Sequence, residues 1–309
     1  MTTAFVFPGQ GSQSVGMMTG LFGRPEVKAT FDEASQALGQ DLWNLVMNGP
    51  AEALNRTVNT QPAMLAAGIA TYRAYLAAGG QAPALMAGHS LGEYTALVAA
   101  HALPLADAVR LVRFRAEAMQ TAVPEGVGAM AAILGLDDDL VRMVCAEAAQ
   151  GEVLEAVNLN SPGQVVIAGN KAAVERGMTL AKERGAKRAL ALPVSVPSHS
   201  SLMKPAAEKL AAYLARIEIA APRIPVLHSA DVKDYSAPEQ IKAALARQLH
   251  SPVRWVETIL ALKDRGATRF VECGPGKVLA GLNKRIDASL ATLAVTDEAS
   301  LLAAAQETN

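Results

Sequence analysis

The 309-residue sequence is poor in several residue types on which whole classes of protein depend. Its two cysteines, Cys145 and Cys273, lie far apart and have no metal-ligand spacing, so neither a disulfide framework nor a zinc site is indicated. Aromatic residues make up 4% of the chain, and the formal net charge is -1. Without an overall basic charge, we expect neither nucleic acid nor an anionic membrane surface as a principal partner. Any bound anion must be held by a local cluster.

A long apolar run free of proline and charge is also missing. The most apolar long stretch, 63–78, follows Pro62 and contains Arg73, which is typical of a buried helix rather than a membrane span. The first residues enter an apolar segment at once, without the charged segment and cleavage site of a signal peptide. We therefore expect a cytoplasmic protein in a reducing compartment.

Apolar residues, in contrast, are abundant at 51% of the chain, enough to bury a sizeable core. One apolar run, 4–7, ends at the loop sequence PGQG, and a second, 84–87, leads into GHSLG and then a helix-forming segment, 93–102. This alternation of strand, turn and helix favours a mostly parallel α/β sheet.

Segment 126–194 has a different pattern. It predicts, in order, strand 129–134, helix 138–149, strand 154–159, strand 164–168, helix 171–184 and strand 188–193, with a hairpin turn at 160–163. This β-α-β-β-α-β order is ferredoxin-like. We place the subdomain at 125–195, so that 1–124 and 196–309 form the α/β core, and we expect the last core strand at 269–273.

The GHSLG sequence at 88–92 carries the strongest chemical signal. A Gly-x-Ser-x-Gly turn between strand and helix presents the serine hydroxyl at a tight corner, because the flanking glycines avoid side-chain clashes. Ser90 would lie at a helix N-terminus, where free amides, that of Leu91 first, favour the oxyanion formed by attack on an acyl carbonyl. Ser90 is therefore the candidate nucleophile, and the alternative is an inert serine in a glycine-rich turn.

The glycines of the first loop complete no phosphate-binding motif. Gly9 and Gly11 begin a dinucleotide pattern, but Ser14 stands where the third glycine belongs. Gly11 and Gly16 have the separation of a P-loop, yet two methionines follow in place of lysine and a hydroxyl residue. Neither motif indicates a nucleotide cofactor.

A serine nucleophile needs a base, and the sequence has five histidines. His89 is adjacent to Ser90 and should point away from its hydroxyl, which favours a packing or turn role. His199 lies in a loop just after the predicted subdomain, where it could face a cleft. On this reasoning His199 leads the others only slightly.

Arg115 is the unusual residue of an amphipathic segment. It shares one helical face with apolar residues, namely Ala108, Leu111, Val112 and Met119. A charge directed inward normally needs a partner, either a buried carboxylate of the protein or an anionic ligand. The pattern leaves both possibilities open.

Five motifs occur in one order: FPGQGSQ at 7–13, GHSLGEY at 88–94, Arg115, PSH at 197–199 and GPGK at 274–277. Together with the ferredoxin-like segment between Arg115 and His199, they resemble the malonyl-CoA:acyl carrier protein transacylases of bacterial fatty acid synthesis. The resemblance covers nearly the whole chain. It implies a hydrolase-like α/β core with an inserted ferredoxin-like subdomain.

The resemblance also implies roles for individual residues. Ser90 would be the nucleophile and His199 the general base, in a dyad without a required acidic member. Gln248 matches the family glutamine whose carbonyl orients the histidine. Gln10 aligns with the family glutamine beside the oxyanion hole, a role that it would share with the Leu91 amide.

Substrate binding follows in the same way. Arg115 matches the arginine that holds the free carboxylate of the malonyl group, and a guanidinium fork suits a carboxylate. Asn160 resembles a residue that lines the cleft opposite Arg115, although a hairpin-turn asparagine is an alternative. His228 and Ser229 depart from the family, since many relatives have asparagine at one of these positions.

The implied activity is malonyl transfer from malonyl-CoA to the phosphopantetheine thiol of acyl carrier protein, with no metal or bound cofactor. We expect the enzyme to act as a monomer. Rivals are an acyltransferase for another extender unit, where Ser198 would tune acyl size, a thioesterase or esterase, and a non-enzymatic docking module. Basic residues are candidates for docking an acidic carrier protein, or else ordinary solvated side chains: Lys204, Lys277, Lys284 and Arg285.

Overall fold

The structure, a computed structural model, describes residues 2–194 and 196–306. Its strands are β1 (Thr3–Phe7), β2 (Leu85–Gly88), β3 (Gly128–Leu134), β4 (Leu154–Ser161), β5 (Gln164–Asn170), β6 (Arg188–Ala191), β7 (Val226–His228), β8 (Lys233–Asp234), β9 (Arg269–Cys273) and β10 (Ala291–Val295). Its α-helices are α1 (Pro25–Leu38), α2 (Leu42–Asn48), α3 (Ala51–Asn55), α4 (Thr57–Ala77), α5 (Gly92–Ala99), α6 (Leu105–Ala122), α7 (Asp138–Ala149), α8 (Lys171–Glu183), α9 (Lys204–Leu214), α10 (Pro238–Gln248), α11 (Trp255–Asp264), α12 (Val278–Ile286) and α13 (Glu298–Gln306). Short 3-10 turns lie at Thr19–Leu21 and Ser201–Met203.

Six strands form a mostly parallel sheet in the order β10-β9-β1-β2-β7-β8. The edge strand β8 runs antiparallel to β7, and the other neighbours are parallel. Strand β1 aligns Phe7 with Gly88 on β2 and Val6 with Glu272 on β9. The carboxyl ends of these strands therefore meet at one edge of the sheet, where the serine turn and the GPG loop also lie. The expected α/β core is confirmed.

Apolar residues cover both faces of this sheet. All five residues of β1 are buried, and successive side chains of a strand point to opposite faces. Phe5 belongs to a cluster that includes Tyr75 of α4, whereas Val6 belongs to a second cluster with Trp255 and Ile259 of α11. Burial on both faces explains why β1 is a continuous apolar run rather than an alternating one.

The remaining four strands form a separate antiparallel sheet in the order β4-β5-β3-β6. Its apolar cluster includes Ile133, Val144 of α7 and Ile167, so the ferredoxin-like arrangement is confirmed. Helix α7 begins where the sequence predicts, because the Asp137 carboxylate accepts a hydrogen bond from the Leu140 amide at 2.9 Å. The limits at 125 and 195 stay predictions, and Ser195 lies outside the described residues.

Two sequence predictions about the α/β core are wrong. The core does not end its strands at β9, since β10 pairs with it as a parallel edge strand. Helix α5 stops at Ala99 instead of 102, because the backbone turns at His101, whose φ is 59°. Among the residues that the structure describes, no helix combines the length and apolar character that crossing a bilayer requires.

Candidate active site

The serine turn connects β2 to α5 and depends on its glycines. Ser90 has a φ of 52°, a left-handed conformation that non-glycine residues rarely adopt. A Cβ on Gly88 would lie 1.9 Å from the carbonyl carbon of Gly92, and one on Gly92 would lie 2.0 Å from the carbonyl oxygen of Phe7. The turn therefore fits against the first loop only without side chains at these positions.

Ser90 and His199 lie together although 109 positions separate them in sequence. The serine Oγ is 2.7 Å from Nε2 of His199, and Nδ1 of the same ring is 2.8 Å from the backbone carbonyl oxygen of Gln248. A carbonyl only accepts, so Nδ1 donates and Nε2 presents a lone pair to the hydroxyl. The geometry suits proton transfer from Ser90 to His199.

The imidazole is electrostatically prepared for that transfer. His199 is 3% exposed, and burial, followed by the positive charge of Arg115, lowers its pKa to about 3. The ring is therefore neutral at physiological pH. His199 also has a φ of 67°, so both members of the pair have left-handed backbones, which cost about 1–3 kcal/mol each and persist only where the surroundings impose them.

Arg115, on α6, is 1% exposed and points into the same site. Its Nη1 donates to Oε1 of Gln61 at 2.9 Å, and its Nη2 donates to Oε1 of Gln248 at 3.1 Å and to Oγ of Ser90 at 3.2 Å. The guanidinium carbon lies 5.4 Å from the ring centroid of Tyr94. Burial lowers the pKa of Arg115, but arginine remains cationic in proteins.

The hydrogen-bond partners of Arg115 are neutral groups. Within the described residues it makes no ion pair with a carboxylate. The structural ion pair is thus missing there, while a buried cation lies beside the candidate nucleophile. Such a cation favours an anionic group brought by a ligand.

Gln248, at the end of α10, has two separate functions in the site. Its backbone carbonyl bonds His199, whereas its side-chain Nε2 donates to the backbone carbonyl of Ser90 at 3.1 Å and to the carboxylate of Glu93. Its side-chain oxygen accepts from Arg115. The side chain therefore joins the nucleophile turn to the guanidinium.

Glu93 and Gln61 belong to this network, although sequence reasoning missed both. Glu93 is fully buried in the first turn of α5, and it accepts from Ser229 Oγ at 2.9 Å and from Nδ1 of His228 at 2.6 Å. An acid among the otherwise apolar, buried residues of a helix is a signal that could have identified it. His228 and Ser229, the departures from the family pattern, contact Glu93 rather than the serine.

Gln10 and Leu91, the two residues expected at the oxyanion hole, belong to the first loop and to the serine turn. A backbone hydrogen bond joins these two segments. The His89 amide donates to the Phe7 carbonyl at 3.0 Å, which continues the β1–β2 pairing into the turn. Within the described part of the chain, the amides of Gln10 and Leu91 donate no hydrogen bond. The Gln10 side chain is exposed and donates to Thr57 Oγ1 at 3.2 Å.

Asn160 connects the small sheet to the serine turn. It lies in β4, not in the hairpin turn, and its Oδ1 is 2.8 Å from Nε2 of His89. His89 packs against Trp255 with ring centroids 5.4 Å apart, and burial lowers its pKa. The expectation that His89 points away from the serine hydroxyl fits these contacts. Among the described residues, no group of three or more His, Cys, Asp or Glu side chains could hold a metal ion.

Known proteins resemble the chain over almost its whole length. Residues 4–296 match the acyl transferase domain family. The malonyl CoA-acyl carrier protein transacylase of Escherichia coli is 57% identical over 305 residues, which cover 98% of this chain and 98% of that protein.

Solved structures show the same similarity in three dimensions. The acyl-carrier-protein S-malonyltransferase of Burkholderia pseudomallei is 60% identical, with a TM-score of 0.98 over 99% of this chain and 100% of that one. A malonyl-transacylase in complex with its type II PKS acyl-carrier protein is 54% identical, also with a TM-score of 0.98 over 99% and 100% of the two chains.

Proposed function

Since this chain belongs to the acyl transferase domain family and, within it, to the malonyl-CoA:acyl carrier protein transacylases, we propose that it moves malonyl groups from coenzyme A to acyl carrier protein through an ester on Ser90. The observation that carries the proposal is the buried Arg115 guanidinium, bonded to neutral groups and 3.2 Å from the serine Oγ. A buried cation this close to Oγ supports binding of the distal carboxylate of a malonyl ester.

In the first half-reaction, Oγ of Ser90 attacks the thioester carbonyl carbon and its proton passes to Nε2 of His199. The negative charge on the carbonyl oxygen is stabilised by the amides of Leu91 and Gln10. The carbon–sulfur bond then breaks, and coenzyme A leaves as a thiol after taking the proton from His199. Malonate remains as an ester of Ser90.

The second half-reaction reverses these steps with another thiol. The phosphopantetheine thiol of acyl carrier protein gives its proton to His199 and attacks the ester carbonyl. The carbon–oxygen bond breaks, the proton returns to Ser90, and malonyl-carrier protein leaves. The two substrates thus react in turn, as ping-pong kinetics require. Exposed basic residues would favour binding of the acidic carrier protein, and the candidates are Lys204, Lys277, Lys284 and Arg285.

Two of the rival functions fit the site less well. A thioesterase or esterase for simple acyl chains offers no carboxylate to a buried guanidinium, and a docking module leaves the Ser90–His199 pair unexplained. A methylmalonyl-selecting enzyme shares the carboxylate and differs in the space beside Ser198. We further propose that the enzyme works in the cytoplasm as a monomer.

Intact-mass spectrometry after mixing with malonyl-CoA tests the proposal. The wild type should gain one malonyl group that persists in water and disappears when acyl carrier protein is added. Ser90→Ala should gain none, while Ser198→Ala, which replaces the serine next to His199 in sequence, should still be acylated. An adduct on Ser90→Ala, or rapid loss of the wild-type adduct to water, would overturn the assignment as a Ser90 transferase.

A further inference from the structure

The side-chain amide of Gln248 has a fixed direction because of the groups around it. Glu93 and the Ser90 carbonyl only accept hydrogen bonds, so the NH2 end must face them. Arg115 only donates, so the oxygen end must face the guanidinium. The reverse orientation would oppose donors to donors at Arg115 and acceptors to acceptors at Glu93.

Glu93 is the strongest determinant of this direction, because it is the charged acceptor. Hydrogen bonds to an ionised group are roughly twice as strong as those between neutral groups. Two further residues hold the carboxylate. Oε1 accepts from His228 Nδ1, and Oε2, which also accepts from Gln248, accepts from the Ser229 hydroxyl at 2.9 Å and amide at 3.3 Å. All three side chains are at most 1% exposed.

The second ring nitrogen of His228, Nε2, helps to define the role of this residue. Its Nε2 is buried and has no hydrogen-bond partner within the described residues, and its ring lies 5.5 Å from that of Tyr235. Within the described residues, the side chain of His228 therefore makes its hydrogen bond through Nδ1 only, to Glu93.

We propose that Glu93, held by His228 and Ser229, is a positioning residue that sets the direction of the Gln248 amide and thereby keeps Arg115 aimed at the distal carboxylate of the acyl group. This inference rests on the proposed function. Glu93 does not touch the substrate. It acts through Gln248, so that a carboxylate three residues after the nucleophile supports selectivity for dicarboxylic acyl groups.

The test compares specificity constants for malonyl-CoA and acetyl-CoA in the full-length enzyme. Glu93→Gln is isosteric but places both a donor and an acceptor beside Gln248, so its amide can turn over. The malonyl-to-acetyl ratio should fall at least about tenfold, since misplacement of a positioned group by 1 Å costs up to about a hundredfold. The loss should appear mainly as a higher KM for malonyl-CoA, because Arg115 binds the carboxylate before and during reaction.

A matched control removes another fully buried carboxylate. Glu272 accepts hydrogen bonds from the amides of Leu279 and Ala280 at 3.0 and 2.8 Å, and not from side chains of the site. Glu272→Gln should lower the melting temperature and keep the wild-type ratio. A merely destabilising effect would reduce the active fraction for both substrates equally, whereas a positioning effect changes their ratio.

His228 supplies the second arm, which remains informative if Glu93→Gln fails to fold. His228→Leu removes the donor and should lower the ratio, whereas His228→Asn retains a donor and should restore most of it. An unchanged ratio in folded Glu93→Gln, or equal ratios in the two His228 variants, would overturn the inference. A wild type without malonyl preference would instead overturn the proposed function.

Discussion

Buried polar side chains are distributed unequally between the two sheets. At the carboxyl edge of the parallel sheet, Glu93, Arg115, His199 and Gln248 are each at most 3% exposed and bond one another. Across segment 128–191, which the structure describes completely, the buried polar side chains are Asn160 and Ser161. The parallel sheet thus holds charges out of water, whereas the antiparallel sheet relies on apolar packing.

The difference follows from how the two sheets end. Parallel strands all terminate at one edge, where loops and helix N-termini converge and supply hydrogen bonds to buried polar groups. In an antiparallel sheet, neighbouring strands end at opposite edges, and their backbone groups bond each other. One contact that it makes with the serine turn is the neutral hydrogen bond between Asn160 and His89. The comparison therefore predicts that replacing a buried charge at the parallel sheet changes activity strongly. Removing the Asn160–His89 hydrogen bond should change it little.

Replacing the buried charge should have the largest effect. Arg115→Ala should weaken malonyl transfer by about 2–5 kcal/mol of apparent binding, the range for breaking a desolvated charge pair. Acetyl transfer should change little or rise, and Arg115→Lys should recover part of the preference because an ammonium lacks the planar fork. The measurement is the malonyl-to-acetyl ratio of specificity constants, with thermal melting as the control. An unchanged ratio with a sharply lower Tm would make Arg115 a stabilising residue of the core only.

The pH dependence of acylation tests whether the buried His199 is neutral. With the pKa of His199 lowered to about 3, the single-turnover acylation rate should stay level from pH 7 to pH 5. A histidine of ordinary pKa, about 6.5, would lose more than about tenfold over that range. Arg115→Ala removes a positive charge that lowers this pKa, so its profile should begin to fall at higher pH. A wild-type profile falling below pH 6.5 would contradict the buried, neutral base.

The lowered pKa of His199 also determines how the stability of the folded protein changes with pH. A folded-state pKa below the unfolded value means that the unfolded chain binds the proton more readily. The contribution of neutral His199 is therefore fully present above pH 6.5 and is lost as the pH falls towards 3. Acid should destabilise the parallel-sheet core through this residue.

Removing the hydrogen bond between Asn160 and His89 should have the smallest effect on the acylation rate. Asn160→Ala removes one hydrogen bond, worth about 0.5–1.5 kcal/mol, and should slow acylation by about twofold to tenfold. Ile167→Ala, a cavity in the core of the same sheet, should cost about 2–5 kcal/mol of stability and leave the rate per folded molecule unchanged. Quenched acylation and thermal melting measure the two quantities. A greater rate loss for Ile167→Ala would show that the sheet acts through more than this contact.

The sequence predicted some of these features because their causes are local. The ferredoxin-like unit is visible in the order of its strand and helix patterns, and Ser90 in a strand-turn-helix pattern. His199 needed the family resemblance, since its partner lies 109 residues away. No local pattern separates the backbone contribution of Gln248 from that of its side chain. Strand β10 was missed because it is a short edge strand, partly exposed.

The strand order also determines when the parallel sheet can be completed during synthesis of the chain. Strand β1 is made first but lies between β2 and β9, so one of its edges has no partner until 269–273 has been translated. Contacts between residues distant in sequence form late in folding, and the site draws on positions from 10 to 248. The hydrogen-bonded network of Ser90, His199 and Gln248 can therefore form only after residue 248 has been made.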